Sequence, residues 1–238
     1  SYLRVLRVYV VGWSSFLALP GSAGDAVQIL LLKDADVPYR QGAAVYFADK
    51  LVTLGVNLVL VAAGGWLFLR DQVRSDLIVA FVLIVALAAG AILVWLRHSG
   101  SRFAGRATHL LAGAVGYGRR HPHRLAANAA GTVLKSVLNA ACAWILFLGL
   151  GAHVSLAEVV VAHHAAALVA YLPVAFNGVG TVELAALGLY GELGVSSPKT
   201  LAMYLVLRAL IVATALAALA CAVAAGRRRR SRDLPEQP

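Results

Sequence analysis

The sequence predicts an all-α polytopic membrane protein with two inverted repeats. Each repeat carries a Pro/Gly-broken re-entrant helical hairpin followed by transmembrane helices. Three observations carry this expectation: the composition, the length of the apolar runs, and one pattern of interruption that occurs twice. The 238 residues are 61% hydrophobic and only 13% charged, with a mean hydropathy of +0.79. A soluble domain is about 45–50% apolar and about 25% charged, so this inventory cannot furnish a water-facing surface. The runs 51–69, 77–96, 132–150 and 201–225 approach the roughly 20 apolar residues that span a hydrocarbon core.

The interruptions come first at 19–25, where Leu-Pro-Gly-Ser-Ala-Gly-Asp breaks an apolar segment that resumes at 26–32. The same grammar returns at 173–183, between apolar stretches 156–172 and 184–190. Each resumed piece is too short to cross a bilayer at about 1.5 Å per residue. At one constant offset Asp25 falls on Glu183, Val37 on Val195, Ala44 on Ala202, Tyr46 on Tyr204 and Lys50 on Arg208. A matched acid, tyrosine and base at identical separations mark a repeat better than apolar matches do.

Charge separates loops outside the membrane from hairpin tips that enter it. With both breaks as re-entrant tips, one side holds Arg4, Arg7, Lys33, Arg40, the arginines of 97–123, Arg124 and the tail arginines. The other side holds Arg70, Arg74 and Lys199. The positive-inside rule then makes the basic side cytoplasmic, with the loop 97–123 and the C-terminus on it. If 156–172 spans fully, the basic segment and the basic tail land on opposite sides, which disfavours that arrangement. Opposed repeats with broken segments are a recurring plan of membrane transporters. The expected organisation is repeat 1 over 1–96, a cytoplasmic interfacial helix over 97–123, repeat 2 over 124–226 and a basic tail over 227–238. Within the interfacial segment Arg102, Arg106 and His109 share one helix face, and Phe103, Ala107, Leu110 and Ala114 another, as suits a helix lying near anionic lipid. The run Arg227–Arg230 reads as a stop-transfer signal.

The net charge of +10 sits between and after apolar runs, so it reads as topology, and no nucleic acid is expected. Cys142 and Cys221 lie in apolar helices and form neither a disulfide framework nor a metal spacing. The chain begins at Ser1 within apolar sequence, and an N-terminal piece is expected to precede it.

Non-helical backbone at membrane depth survives only where protein buries it or a cavity receives it. Pro20, Gly21 and Gly24, and Pro173, Gly178 and Gly180, are the expected re-entrant tips, with Asn177 in the second. A helix restarting after such a break aims free N–H groups inward and favours an anion such as a phosphate. Asp25 and Glu183 equally serve as caps of those helices. Lys50 and Arg208 lie inside apolar stretches, where a charge costs about 2.5–3.5 kcal/mol on insertion scales. Two readings stand for them: ion pairs with Asp25 and Glu183 (Asp49 as an extra partner) that tie hairpin to helix, or a charged cavity for a lipid head group. Lys135 and Asn139 share one helix face and fit the same cavity, while Lys135 can also snorkel to the interface. His163 and His164 are adjacent on a helix and face different ways, which makes a poor metal site, so no metal or other cofactor is expected. The sequence has no G-x-S-x-G, H-E-x-x-H or P-loop, and no catalytic residue is expected.

The segments LALPGSAGDAVQILLL, VYFADKL, YLPVAFNGVGTVELAALGLYGELGVS and MYLVLRAL resemble the transmembrane region of lysylphosphatidylglycerol synthases and the related flippase-like membrane proteins. The resemblance covers nearly the whole chain and is strongest in the Pro-Gly-x-x-Gly-acid and Pro…Gly-x-Gly-Thr-x-Glu blocks. In that family the first acid is usually Glu with a base nearby, and the later pair is usually Glu-Arg. Asp25, Asp49 and Lys50 stand in those places here, which keeps the charge signs and changes the lengths. In the synthases a cytosolic aminoacyl-transferase domain follows the membrane part, which moves the aminoacylated lipid to the outer leaflet. No such domain lies within these residues, so aminoacyl transfer is not expected of them. The resemblance implies a cell-membrane protein that moves a phospholipid or a polyprenyl-phosphate-linked lipid between leaflets, holding its head group between the two hairpins. The alternative is a membrane scaffold for a lipid-modifying enzyme. Expected partners are anionic phospholipid or lipid-linked phosphate, a second copy in a homodimer, or such an enzyme.

Overall fold

The computed structural model describes residues 2–15, 38–69, 102–171 and 180–232, with isolated helical positions at 27, 30, 31, 90, 94 and 98. Among the described residues every regular element is helical. In chain order they are α1 (Tyr2–Ser14), α2 (Tyr39–Gly64, continued by a π-helical turn Gly65–Leu69), α3 (Arg102–Arg120) and α4 (Pro122–Gly149). Then follow α5 (Leu156–Leu168, ending in a 3-10 turn Val169–Tyr171), α6 (Thr181–Glu192) and α7 (Ser197–Arg232). The first break with Pro20, Gly21, Gly24 and Asp25, most of the span at 77–96, and Pro173, Asn177 and Gly178 of the second break lie outside the described residues.

Among the described residues three helical stretches are long and apolar enough to cross a membrane: Gln41–Leu67, Pro122–Gly149 and Ser197–Ala224, of 27, 28 and 28 residues. At 1.5 Å per residue each is about 40 Å long, against a hydrocarbon core of about 30 Å. The chain is a polytopic membrane protein. Helix α4 starts well before the apolar run at 132 because Pro122 occupies its first turn, where no N–H is needed, and the alanines after it favour helix. Its outward face carries Leu134, Leu138 and Ile145, all exposed, and its inward face buries Ala140, Ala143 and Phe147. In water that outward face would be a liability; lipid tails satisfy it.

The chain forms two compact units. One comprises 1–42 and 208–238. There α1 meets the later part of α7, and the buried Ser14 hydroxyl donates to the Ala215 carbonyl at 3.2 Å. Val8 and Gly12, one turn apart on α1, are buried as well, and such small residues let helix backbones approach closely in a membrane.

The other unit spans 43–207. Its core joins Ala140, Ala143 and Phe147 of α4, Val159, Ala162 and Ala166 of α5, Ala186 and Tyr190 of α6, and Met203, Tyr204 and Leu207 of α7. A second cluster sets Val61 of α2 against Ala165 and Leu168 of α5. Helix α5 is therefore enclosed on most sides, and eight of its residues are buried. With 13 residues it is about 20 Å long, too short to cross alone. Its start is fixed by a capping box: the Glu158 N–H donates to Ser155 Oγ at 3.2 Å and the Ser155 N–H to Glu158 Oε2 at 2.6 Å. Before it, the chain turns out of α4 at Gly151, whose φ of 66° lets the Ala152 N–H reach back to the Phe147 carbonyl at 2.9 Å.

Helix α3 covers most of the segment 97–123. It buries Ala114 and Gly118, and exposes His109, Arg119 and Arg120. A Cβ on its Gly113 would stand 3.6 Å from that of Ala44, in ordinary contact with α2.

At the centre of the larger core the rings of Phe147 and Tyr190 pack 4.7 Å apart. The Tyr190 hydroxyl is buried there without a hydrogen-bond partner. A buried, unsatisfied polar group costs about 1–3 kcal/mol, whereas Phe keeps the ring contacts. Tyr190→Phe is thus expected to leave stability unchanged or raise it by about 1 kcal/mol, read as thermal unfolding in detergent. A clear loss of stability would mean that the hydroxyl is satisfied by an internal water.

Candidate functional site

A polar stripe runs along one side of α4, buried at Thr132 and Ser136 and exposed at Asn139. Asn128, Thr132, Ser136 and Asn139 recur at three- and four-residue steps, so they stack along one face. From Asn128 to Asn139 the stripe covers roughly 16 Å of helix axis, about half the hydrocarbon thickness. Each member meets a polar neighbour.

At the start of the stripe Asn128 Nδ2 donates to Asp49 Oδ1 of α2 at 3.0 Å, and Thr132 Oγ1 donates to Asn128 Oδ1 at 3.1 Å. The amide stands between acid and hydroxyl and fixes the Asp49 side chain on α4. Lys50, next to Asp49 on α2, places Nζ 5.1 Å from the Tyr46 ring centroid, an i, i+4 cation–π contact. Both Asp49 and Lys50 are half-buried. Tyr204 and Arg208 occupy the matching offset on α7.

Deeper along the stripe are two buried histidines of α5. His164 Nε2 lies 3.1 Å from the Ser136 carbonyl. A carbonyl only accepts, so this nitrogen carries the hydrogen. His163 lies with Nε2 3.5 Å from Asn139 Nδ2 and Nδ1 3.4 Å from the Tyr204 hydroxyl. Its ring stacks on that of Tyr204 at 5.9 Å with an angle of 18°. The two histidine rings are 5.5 Å apart and nearly perpendicular, as adjacency on a helix requires. No group of three or more His, Cys, Asp or Glu suited to a metal occurs among the described residues.

Glu183 sits in the first turn of α6, where its Oε2 accepts the Gly180 N–H at 2.7 Å. Gly180 has a φ of 86°, a conformation that glycine adopts without strain. This is the capping role read from the sequence. Lys50, Glu183 and Arg208 each make a further interaction. Lys135 is exposed on α4, while Asn139, also exposed, turns its amide toward His163.

Sequence reasoning set Asp49, Lys50, Glu183, Arg208 and Lys135 apart and passed over Asn128, Thr132, His163 and Tyr204 as a group. The stripe at 128, 132, 136 and 139 was legible as helical spacing. The histidine pair, weighed only as a metal site, had a second signal: two polar rings in an otherwise apolar helix need partners.

The family model described as lysylphosphatidylglycerol synthase TM region matches residues 1–220. No curated protein and no solved structure matches the chain.

Proposed function

We propose a lipid translocase, proceeding from the fact that the chain belongs to the lysylphosphatidylglycerol synthase TM region family and shares its tie to membrane lipids. The observation that carries the reading is the polar stripe of α4, which extends through about half the thickness of a bilayer inside an otherwise apolar unit. Polar side chains at that depth are costly and mark the paths of polar cargo. The cargo is a phospholipid or a polyprenyl-phosphate-linked lipid in the cell membrane. Lys50 in the first repeat and Arg208 in the second supply the positive charge that a phosphate requires, and Lys135, exposed on α4 between Thr132 and Asn139, adds to it. Asp49, held by Asn128, keeps the site selective by opposing bare anions and receiving a cationic head-group amine. The re-entrant tips, the inverted repeat and a cytoplasmic basic side belong to this same reading.

The test is transport in liposomes. Fluorescent phospholipid in the inner leaflet becomes accessible to dithionite only if it is moved outward. The full-length protein is expected to speed this exposure, and Lys50→Ala and Arg208→Ala to reduce it at least tenfold at equal insertion. Glu183→Gln keeps an acceptor for the Gly180 N–H, so it separates a charge requirement from the cap. Wild-type rates equal to those of empty liposomes, across several head groups, would end the translocase reading.

The second reading is a non-transporting scaffold for a lipid-modifying enzyme. The chain of bonds Thr132–Asn128–Asp49 favours it, since polar groups that satisfy one another need no cargo. Co-purification of such an enzyme, with no lipid movement, would select it.

A further inference from the structure

His163 differs from its neighbour in what its ring can do. His164 is fixed as a donor by the Ser136 carbonyl. The partners of His163 are an amide and a hydroxyl, and each of these can donate or accept. In the neutral ring, Asn139 Nδ2 donates to Nε2, and Nδ1–H donates to the Tyr204 hydroxyl. A proton arriving at Nε2 makes both ring nitrogens donors. Only one change is then needed: the Asn139 amide turns its carbonyl oxygen toward the ring. Both contacts are long, at 3.5 and 3.4 Å, so little bonding is lost in the exchange. Asn139 is exposed while His163 and Tyr204 are buried, so the Asn139 side is the one from which the ring is reached. Along α4, which is long and apolar enough to cross a membrane, the position is roughly 25 Å from Pro122 and roughly 15 Å from Gly149.

The ionisable groups around His163 leave room for this. Its own helix brings His164 at 5.5 Å, and α7 brings Tyr204. Helix α4 adds exposed Lys135, four residues before Asn139, while α6 adds Tyr190 in the same core and Glu183 at its start. Lys199 of α7 is held at the Gly151 carbonyl. On α2, Asp49 is bonded to Asn128, about 16 Å along α4 from Asn139, and Lys50 lies over Tyr46. None of the contacts described places a carboxylate on the His163 ring, which would hold it permanently charged.

We propose that His163, between Asn139 and Tyr204, binds and releases the proton that couples lipid movement to a transmembrane proton gradient. This rests on the translocase reading and adds an energy source to it. Intramembrane histidines take part in the proton relays of pumps and transporters. The proton enters at Nε2 and leaves from the same nitrogen once the site faces the other side, so no other bond is made or broken.

Coupling and passive exchange differ in their end point. Full-length protein is reconstituted with a fluorescent phospholipid, a pH difference of one unit is imposed, and the leaflet ratio is read by dithionite after it stops changing. One proton per lipid is expected to drive up to about tenfold enrichment in one leaflet, reversed when the gradient is reversed. His163→Gln, which keeps a donor and an acceptor but cannot titrate, is expected to give an even distribution with or without the gradient. His164→Gln is expected to retain the enrichment. An even distribution in wild type, reached faster than in empty liposomes, would overturn proton coupling and leave the translocase standing. No acceleration at all would overturn both. Enrichment that survives in a folded, inserted His163→Gln would overturn the assignment to His163.

Discussion

Gly64→Val is expected to be among the most damaging single substitutions in the larger unit. A Cβ at Gly64 of α2 would stand 2.6 Å from Val161 Cγ2 of α5, a distance that side chains do not tolerate. Val161 cannot step aside easily. It is 3% exposed, and a β-branched side chain in a helix has one strongly preferred rotamer. Overpacking of this kind costs about 1–3 kcal/mol, and the two methyl groups of valine place the effect at the upper end. Replacing glycine in a helix recovers less than about 1 kcal/mol, so the clash wins. The measurement is the temperature at which half the detergent-solubilised protein leaves its monodisperse peak. Val161→Ala opens the space from the other side, so the double variant should recover most of the loss. Failure of that rescue would mean that α2 and α5 do not meet at this point.

Phe147→Ala is the second large effect expected. Phe147 is fully buried where α4, α5, α6 and α7 converge, against the ring of Tyr190. In water-soluble cores Phe→Ala costs about 3–5 kcal/mol, as lost transfer energy plus a cavity. In a bilayer the transfer part shrinks, because lipid tails are as apolar as leucine, and packing dominates. The cavity and the lost dispersion contacts remain, so a loss of about 2–3 kcal/mol is expected. Phe147→Leu should recover over half of it by filling the space. If Phe147→Ala proves neutral by the same thermal assay, α4 does not pack as a core helix there. Leu138→Ala, on the exposed face of the same helix, provides the comparison, and should change stability by less than about 0.5 kcal/mol.

The sequence by itself determined the class of this protein. Composition and run length are sums over neighbouring residues, and no tertiary contact is needed to see that 201–225 spans a bilayer. The helix at Arg102–Arg120 was legible for the same reason, since its two faces are written in a local period. The capping role of Glu183 was legible too, as it acts three residues away, on Gly180. Periodicity also groups Asn128, Thr132, Ser136 and Asn139 on one side of α4, but it does not say what that side meets.

Tertiary structure decided the meetings. Asp49 finds Asn128 across 79 residues, His163 finds Asn139 across 24, and Tyr204 finds His163 across 41. Such pairs depend on how each helix is rotated against its neighbours, and that rotation is set by packing. Small side chains at Gly64, Ala140, Ala143, Ala162 and Ala166 let the helices approach, and Phe147 and Tyr190 fill what is left. Apolar residues occur on several faces of each of these helices, so hydrophobic pattern alone cannot choose the rotation. The fit of small against large does, and it turns a histidine pair that looked like an unpromising metal site into the polar centre of the unit.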